Sequence, residues 1–192
     1  WTVDGGNGQD DYAAFITTEG ELAIYRGTAP SNAANWALVG VYNVARPIGR
    51  KCLFKYGGDL LIITESGIVK MSAVLQTVSV DRNSAISDKI IGGISEAASR
   101  YKTNFGWSLT LLSADSILIL NVPKTEGGES MQFVMNTLTQ AWSTFSNMNA
   151  VCFCEIGARL FYGTAGKTVQ ALTTQTDFGA NIPLKAKTAF TN

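Results

Sequence analysis

The chain has 192 residues, 46% of them hydrophobic, and its 15 Lys+Arg balance 15 Asp+Glu. It can therefore bury a sizeable core, and it carries no global field that would draw it to nucleic acid or an anionic membrane. There is no histidine, which removes the usual general base of Ser and Cys triads and the commonest transition-metal ligand. Charged residues make up only 16% against about a quarter in average proteins, so Ser, Thr, Asn, Gln and backbone supply much of the polar surface, as suits a β-rich protein working in an assembly.

The first feature is the run DGGNGQDD at residues 4–11, whose GGNGQD core fits the G-G-x-G-x-D pattern of calcium-binding β-rolls. Asp4, Asn7, Asp10 and Asp11 could offer oxygens to Ca²⁺, which needs six to eight. A roll completes each half-site from the next stacked repeat, however, and this chain has one copy. The favoured reading is a turn in which glycines supply positive φ angles on the way into the first sheet, with an ion at Asp4 and Asp10 left open. Asp10 and Asp11 are adjacent and point to opposite faces of a strand, a poor arrangement for shared acid–base work.

Alternation then dominates, rich in Val, Ile, Thr, Phe and Tyr, and one hairpin unit recurs. It reads YAAFITTEGELAIYRG (12–27) with a turn at Glu19-Gly20, then KCLFKYGGDLLIITESG (51–67) with a turn at Gly57-Gly58-Asp59. SLTLLSADSILILNVP (108–123) turns at Ala114-Asp115, and AVCFCEIGARLFYGTAG (150–166) turns at Gly157-Ala158. Further strands follow at Trp36–Ala45, Gly67–Ser72, Met131–Asn136, Ala141–Ser146 and Thr168–Leu172. Two of the three intervals between hairpins lie near 40 residues, and the middle one is longer by about half a repeat. The excess falls on Arg82–Lys102, where Ile86, Ile90, Ile91, Ile94, Ala97, Ala98 and Tyr101 have helical spacing. This predicts one substantial amphipathic helix near 84–102, with Ser84 or Ser87 as N-cap and a weak point at Gly92-Gly93.

Four-stranded units repeating at about 40–45 residues are the signature of a β-propeller. The expected fold is all-β, with about four blades or part-blades over 1–175 and a connection over 176–192 to a continuation outside the sequence; a β-sandwich is the competing fold. Cys52, Cys152 and Cys154 are too few for a disulfide framework and are expected as small core residues. Arg46, Arg50, Lys51 and Lys55 form the densest basic stretch; alternation places Cys52, Phe54 and Tyr56 toward the core and the lysines in solvent. Trp36, Trp107 and Trp142 are expected between sheets. The S-x-D-x-G-x-x-W turn of sialidase-type propellers is absent, Ser113-Ala114-Asp115 reaching only its first three positions. Apolar runs such as Ser116–Val122 fall far short of the ~20 residues of a membrane helix. No catalytic, cofactor or metal residue is assigned.

The runs WTVDGGNGQDDYAAFITTEGELAIYRGT, KYGGDLLIITESGIVKMS and QFVMNTLTQAWSTFSNMNAVCFCEIGARLFYGTAGKTVQAL resemble the β-propeller tail proteins of short-tailed bacteriophages: tail nozzle or hub proteins and packaged-DNA stabilisation proteins. The likeness covers roughly residues 1–175, and its most distinctive parts are the GGDLLIIT turn and the NTLT-x-AW-x-x-F segment. It implies a non-enzymatic virion protein made in the host cytoplasm. Such a protein would form a ring of copies, commonly sixfold, against portal, adaptor and other tail proteins, with nonspecific contact to genomic DNA in the channel and no membrane insertion. The alternatives are a virion-attached receptor- or glycan-binding propeller, including a depolymerase, and an unrelated calcium-binding propeller.

Overall fold

The computed structural model describes residues 2–4, 9–76, 85–166, 169–172, 176–177 and 180–181. The chain is laid out as small antiparallel sheets, each a meander in sequence order. The first contains β1 (Thr2–Asp4), β2 (Gln9–Ile16), β3 (Glu21–Gly27) and β4 (Trp36–Asn43), and the second β5 (Leu53–Tyr56), β6 (Asp59–Thr64) and β7 (Gly67–Lys70). A short helix α1 (Met71–Gln76) follows, then a 3₁₀ turn at Asp88–Ile90 leading into α2 (Ile91–Tyr101). The third sheet is β8 (Ser108–Leu112), β9 (Ile117–Pro123), β10 (Ser130–Asn136) and β11 (Trp142–Phe145). The fourth is β12 (Cys152–Ile156), β13 (Arg159–Gly163) and β14 (Val169–Leu172), and a two-stranded pair β15 (Thr176–Asp177) and β16 (Ala180–Asn181) comes last. No sheet among the described residues closes on itself.

All four expected hairpins form at the expected turns. Tyr56 pairs with Asp59 across Gly57-Gly58, and Ile156 with Arg159 across Gly157-Ala158. In the latter turn both central residues have positive φ, +57° and +62°, the geometry that matches the strand twist of a two-residue hairpin. The NTLT segment is the β10–β11 connection, where the Asn136 side chain accepts from the N–H groups of Leu138 and Thr139 at 3.0 Å, the local bonding that favours Asn in turns.

Sheets stack in chain order through alternate side chains. Leu22 and Ile24 on β3 meet Leu60 and Ile62 on β6 and Val69 on β7. The opposite face of the second sheet sends Leu61, Ile63 and Ile68 against Leu109, Leu118, Leu120, Val122, Phe133 and Met135 of the third. The far face of the third sends Leu112, Ile119 and Val134 against Leu160 and Phe153 of the fourth. Central strands are thus covered on both sides: Leu61, Ile62 and Ile63 are all 0% exposed. Each such side chain contributes about 1.5–3 kcal/mol by leaving water, which is why β6 and β9 read as continuous apolar runs.

The helical prediction is right in place and wrong in extent. Ser84 lies outside the described residues, and Ser87 does not cap α2, whose N-cap is Ile90 with no side-chain cap bond. Instead the buried Ser87 hydroxyl accepts the Ile68 N–H at 2.9 Å, while the Ile86 N–H donates to the Ile68 carbonyl at 3.1 Å. Residues 86–87 therefore satisfy the free edge of β7, a demand that outweighs helix capping because unpaired backbone polar groups are costly to bury. Gly92-Gly93 falls in the first turn of α2, not at its middle. The helix buries Ile94, Ala97 and Ala98 between the second and third sheets. The expected strand through Ser72 stops at Lys70, and α1 buries Met71 and Val74 on the joint between the first two sheets.

Two further expectations are corrected. Cys52 is buried, but Cys152 and Cys154 are exposed: they share the face of β12 that points away from the third sheet, while Phe153 takes the covered face. Trp107 and Trp142 do pack into the core between the second and third sheets. Trp36 instead stacks on Tyr25, ring centroids 5.6 Å apart and planes at 10°, on the uncovered side of the first sheet.

Candidate functional site

The basic stretch divides among three places. Arg46 leaves the first sheet's exit and binds Glu19 in the first hairpin turn at 2.6 Å, an exposed pair that ties the turn to the link after β4. Lys55 is exposed on β5. Arg50 and Lys51 sit at the mouth of a cleft of about 440 Å³, whose other walls include Lys102, Asn104, Phe105, Glu126 and Ser108.

The cleft lies where three first strands begin. Lys51, just ahead of β5, makes a parallel bridge to Ser108, the first residue of β8, and Val151 and Cys152 at the start of β12 complete the rim. Its floor is held by several independent bonds. Trp107 is 2% exposed and donates its indole N–H to the Tyr101 carbonyl at 2.9 Å, which folds the chain back at the end of α2. Asn104 donates to the carbonyls of Pro123 and Lys124 at 3.1 and 2.9 Å, and the Asn121 amide donates to the Gly106 carbonyl at 3.0 Å. Gly49 has φ +74° and lies so close to Trp107 that a Cβ there would meet its Cβ at 3.1 Å; glycine fits both the backbone angle and the contact.

Lys102 is neutralised by Glu65 at 2.9 Å. Among the described residues Arg50 and Lys51 have no ion-pair partner, and Phe105 is 54% exposed beside them. Two free cations, an open aromatic ring and a serine hydroxyl can hold a phosphate or a short stretch of polyanion. The lining also carries one carboxylate, Glu126, the hydroxyls of Thr103 and Ser108 and the thiol of Cys152.

The joint beside this cleft is polar at its centre, a feature the sequence pattern did not announce. Asn121, 0% exposed, also donates to the Ala150 carbonyl at 3.1 Å. Gln132, equally buried, donates to Asn121 Oδ1 at 2.9 Å and to the Met148 carbonyl at 2.8 Å. Ser130 donates to the same Met148 carbonyl at 2.8 Å. This network pins the 148–150 link and so fixes how the fourth sheet leaves the third. The only trace in the sequence was a polar residue inside each of two apolar runs, ILILNVP and SMQFVMN.

The calcium expectation at Asn7 falls on residues outside the described set, as do the side chains of Asp4 and Asp10. The backbone on either side of that loop forms the β1–β2 pair, Asp4 opposite Gln9. Among the described residues no group of three His, Cys, Asp or Glu side chains lies close enough to hold a metal ion, and no helix is long and apolar enough to cross a membrane. No protein-family model matches the chain, and a comparison with curated proteins returns no match.

Proposed function

We propose that the chain is a β-propeller segment of a bacteriophage tail protein, a nozzle, hub or DNA-conduit component that works by assembling with other tail subunits and not by catalysis. The observation that carries the propeller part is the arrangement of first strands. Successive meanders stack face to face, and β8 contacts β5 on one side and β12 on the other. An inner ring of first strands around one axis is how propeller blades are arranged. The tail assignment rests on the sequence resemblance, and the cleft supports it: cations at the first-strand ends would face an axial passage, where phosphate contacts are nonspecific and salt-sensitive.

A glycan-binding reading has one observation in its favour, the open aromatic cluster of Phe15, Tyr25 and Trp36 on the first sheet. Against it, the described lining of that surface includes no carboxylate, amide or cation to hold sugar hydroxyls.

The test is localisation together with DNA titration. The tail reading expects the chain to copurify with intact particles and to give density on the tail axis; its absence from particles contradicts that reading. Binding to double-stranded DNA should weaken steeply with salt, and Arg50→Ala with Lys51→Ala should reduce the log–log salt slope by about 1 for each phosphate contact removed. An unchanged slope contradicts a DNA role for the cleft.

A further inference from the structure

Phe105 is an aromatic side chain that the fold keeps out of its core. It is 54% exposed and joins none of the apolar clusters of the described residues, yet the backbone on both sides of it is fixed. The Asn104 N–H donates to the Tyr101 carbonyl at 3.0 Å, and the Asn104 side-chain amide holds the carbonyls of Pro123 and Lys124. The Gly106 carbonyl accepts from the buried Asn121, and Trp107 is anchored through its indole to Tyr101. A turn tied this firmly to β9 presents the ring at one place, on the lining of the cleft that also carries Arg50 and Lys51. A rigidly held ring left in water beside positive charge suits a ligand that has a flat face and an anionic group.

We infer that the cleft takes one unpaired nucleotide, its base stacked on Phe105 and its phosphate held by Arg50 and Lys51. The inference rests on the anion-binding reading of the cleft and not on the tail assignment. Size sets the first limit. A cleft of about 440 Å³ lies within the range that encloses a small ligand, so it admits a single nucleotide. A duplex can reach the rim cations with its phosphates, but its paired and stacked bases cannot lie on the ring. Stacking decides the class of ligand: every base has a π-face, so an aromatic platform beside cations takes single strands with little regard to sequence.

The rest of the lining agrees. Thr103 and Ser108 bring hydroxyls that donate and accept, and Glu126 accepts N–H groups while setting one negative charge against the cations. One phosphate therefore suits the site better than a chain of them. Because residues 104–107 are already tied down, binding orders little of the protein, which favours affinity from a small surface.

The experiment is a fluorescence-anisotropy titration of the 192-residue chain with three labelled probes of equal length: oligothymidylate, a strand of abasic sites and a duplex. Oligothymidylate should bind more tightly than either of the others, a comparison that needs no variant. Phe105→Ala should weaken oligothymidylate binding by about 5- to 150-fold, the range of one lost base stack, and leave the other two probes unchanged. Phe105→Tyr should restore it, and Arg50→Ala with Lys51→Ala should weaken all three. Competition by thymidine monophosphate identifies the source of the nucleotide. Displacement by the mononucleotide means that a free nucleotide suffices, and displacement by oligothymidylate alone means that the site takes a nucleotide within a strand; both support the inference. It is overturned by equal affinity for oligothymidylate and the abasic strand, by unchanged single-strand affinity in Phe105→Ala, or by a Phe105→Ala loss that extends to the duplex. Equal affinities with a salt slope that still responds to Arg50 and Lys51 overturn the nucleotide site and leave the DNA reading of the cleft standing, whereas no binding of any probe overturns both.

Discussion

The first and third sheets have similar strands and opposite fates. Along β9 the burial runs unbroken from Leu118 to Pro123, because the second sheet covers one face and the fourth covers the other. Along β3 only Leu22 and Ile24 are fully buried, although Ala23 and Tyr25, which alternate with them onto the other face, are also apolar or aromatic. Apolar character on both faces of a strand therefore does not by itself show that both are covered: among the described residues the third sheet packs on both sides and the first on one. The same lesson applies to the fourth sheet, where Phe153 packs against the third sheet and Cys154, on the other face, is exposed.

The contrast can be broken most forcefully by truncating one side chain in each region. Leu120→Ala, at 0% exposed, should cost about 2–5 kcal/mol in urea unfolding through lost burial and the cavity left behind. Val41→Ala, measured on dilute monomer, should change stability by about 0.5 kcal/mol or less. Equal costs at the two sites would mean that the first sheet's outer face is covered within the monomer.

A smaller effect is expected at the polar centre of the third joint. Asn121→Ala leaves the Gly106 and Ala150 carbonyls without their donor, while the Gln132 amide keeps Ser130 Oγ and the Met148 carbonyl; the loss should cost about 1–3 kcal/mol. Hydrogen exchange should quicken at residues 148–150 and in β12 while β6 stays protected. Uniform quickening would show that the network supports the whole stack and not this one joint.

The smallest effect is a pH dependence at Cys52, whose thiol is pushed up from its ordinary value by burial. The unfolded chain ionises at the ordinary value and the folded chain only above it, so this thiol's contribution is fully present below the ordinary value and is lost as pH rises from there through the raised folded value. Cys52→Ala should flatten the alkaline limb of stability against pH; an unaltered limb would place the titrating group elsewhere.

Much of the strand pattern was legible in the sequence because hairpin turns carry local chemistry. Gly57-Gly58 and Gly157-Ala158 mark their turns through backbone angles, and alternation around them sorts side chains to faces. What alternation cannot say is whether a face has a neighbour, and the readings of Cys152, Cys154 and Trp36 as core residues failed for that reason. Ser87 failed differently. As a nearby N-cap it was a sound local choice, but the unpaired edge at Ile68, 19 residues earlier in the chain, claimed its hydroxyl. The basic stretch was visible as composition, whereas the cleft it enters depends on Asn104, Phe105 and Trp107, more than 50 residues onward, and only the stacking of sheets brings them together.

The central claim is that these sheets are consecutive blades around one axis, and imaging the assembled protein by electron cryomicroscopy at a resolution that separates strands tests it most directly. The account predicts sheets arranged radially, with β5, β8 and β12 innermost and Arg50 and Lys51 facing the axial opening. Two flat layers packed as a sandwich, or first strands on the outer rim, would contradict it.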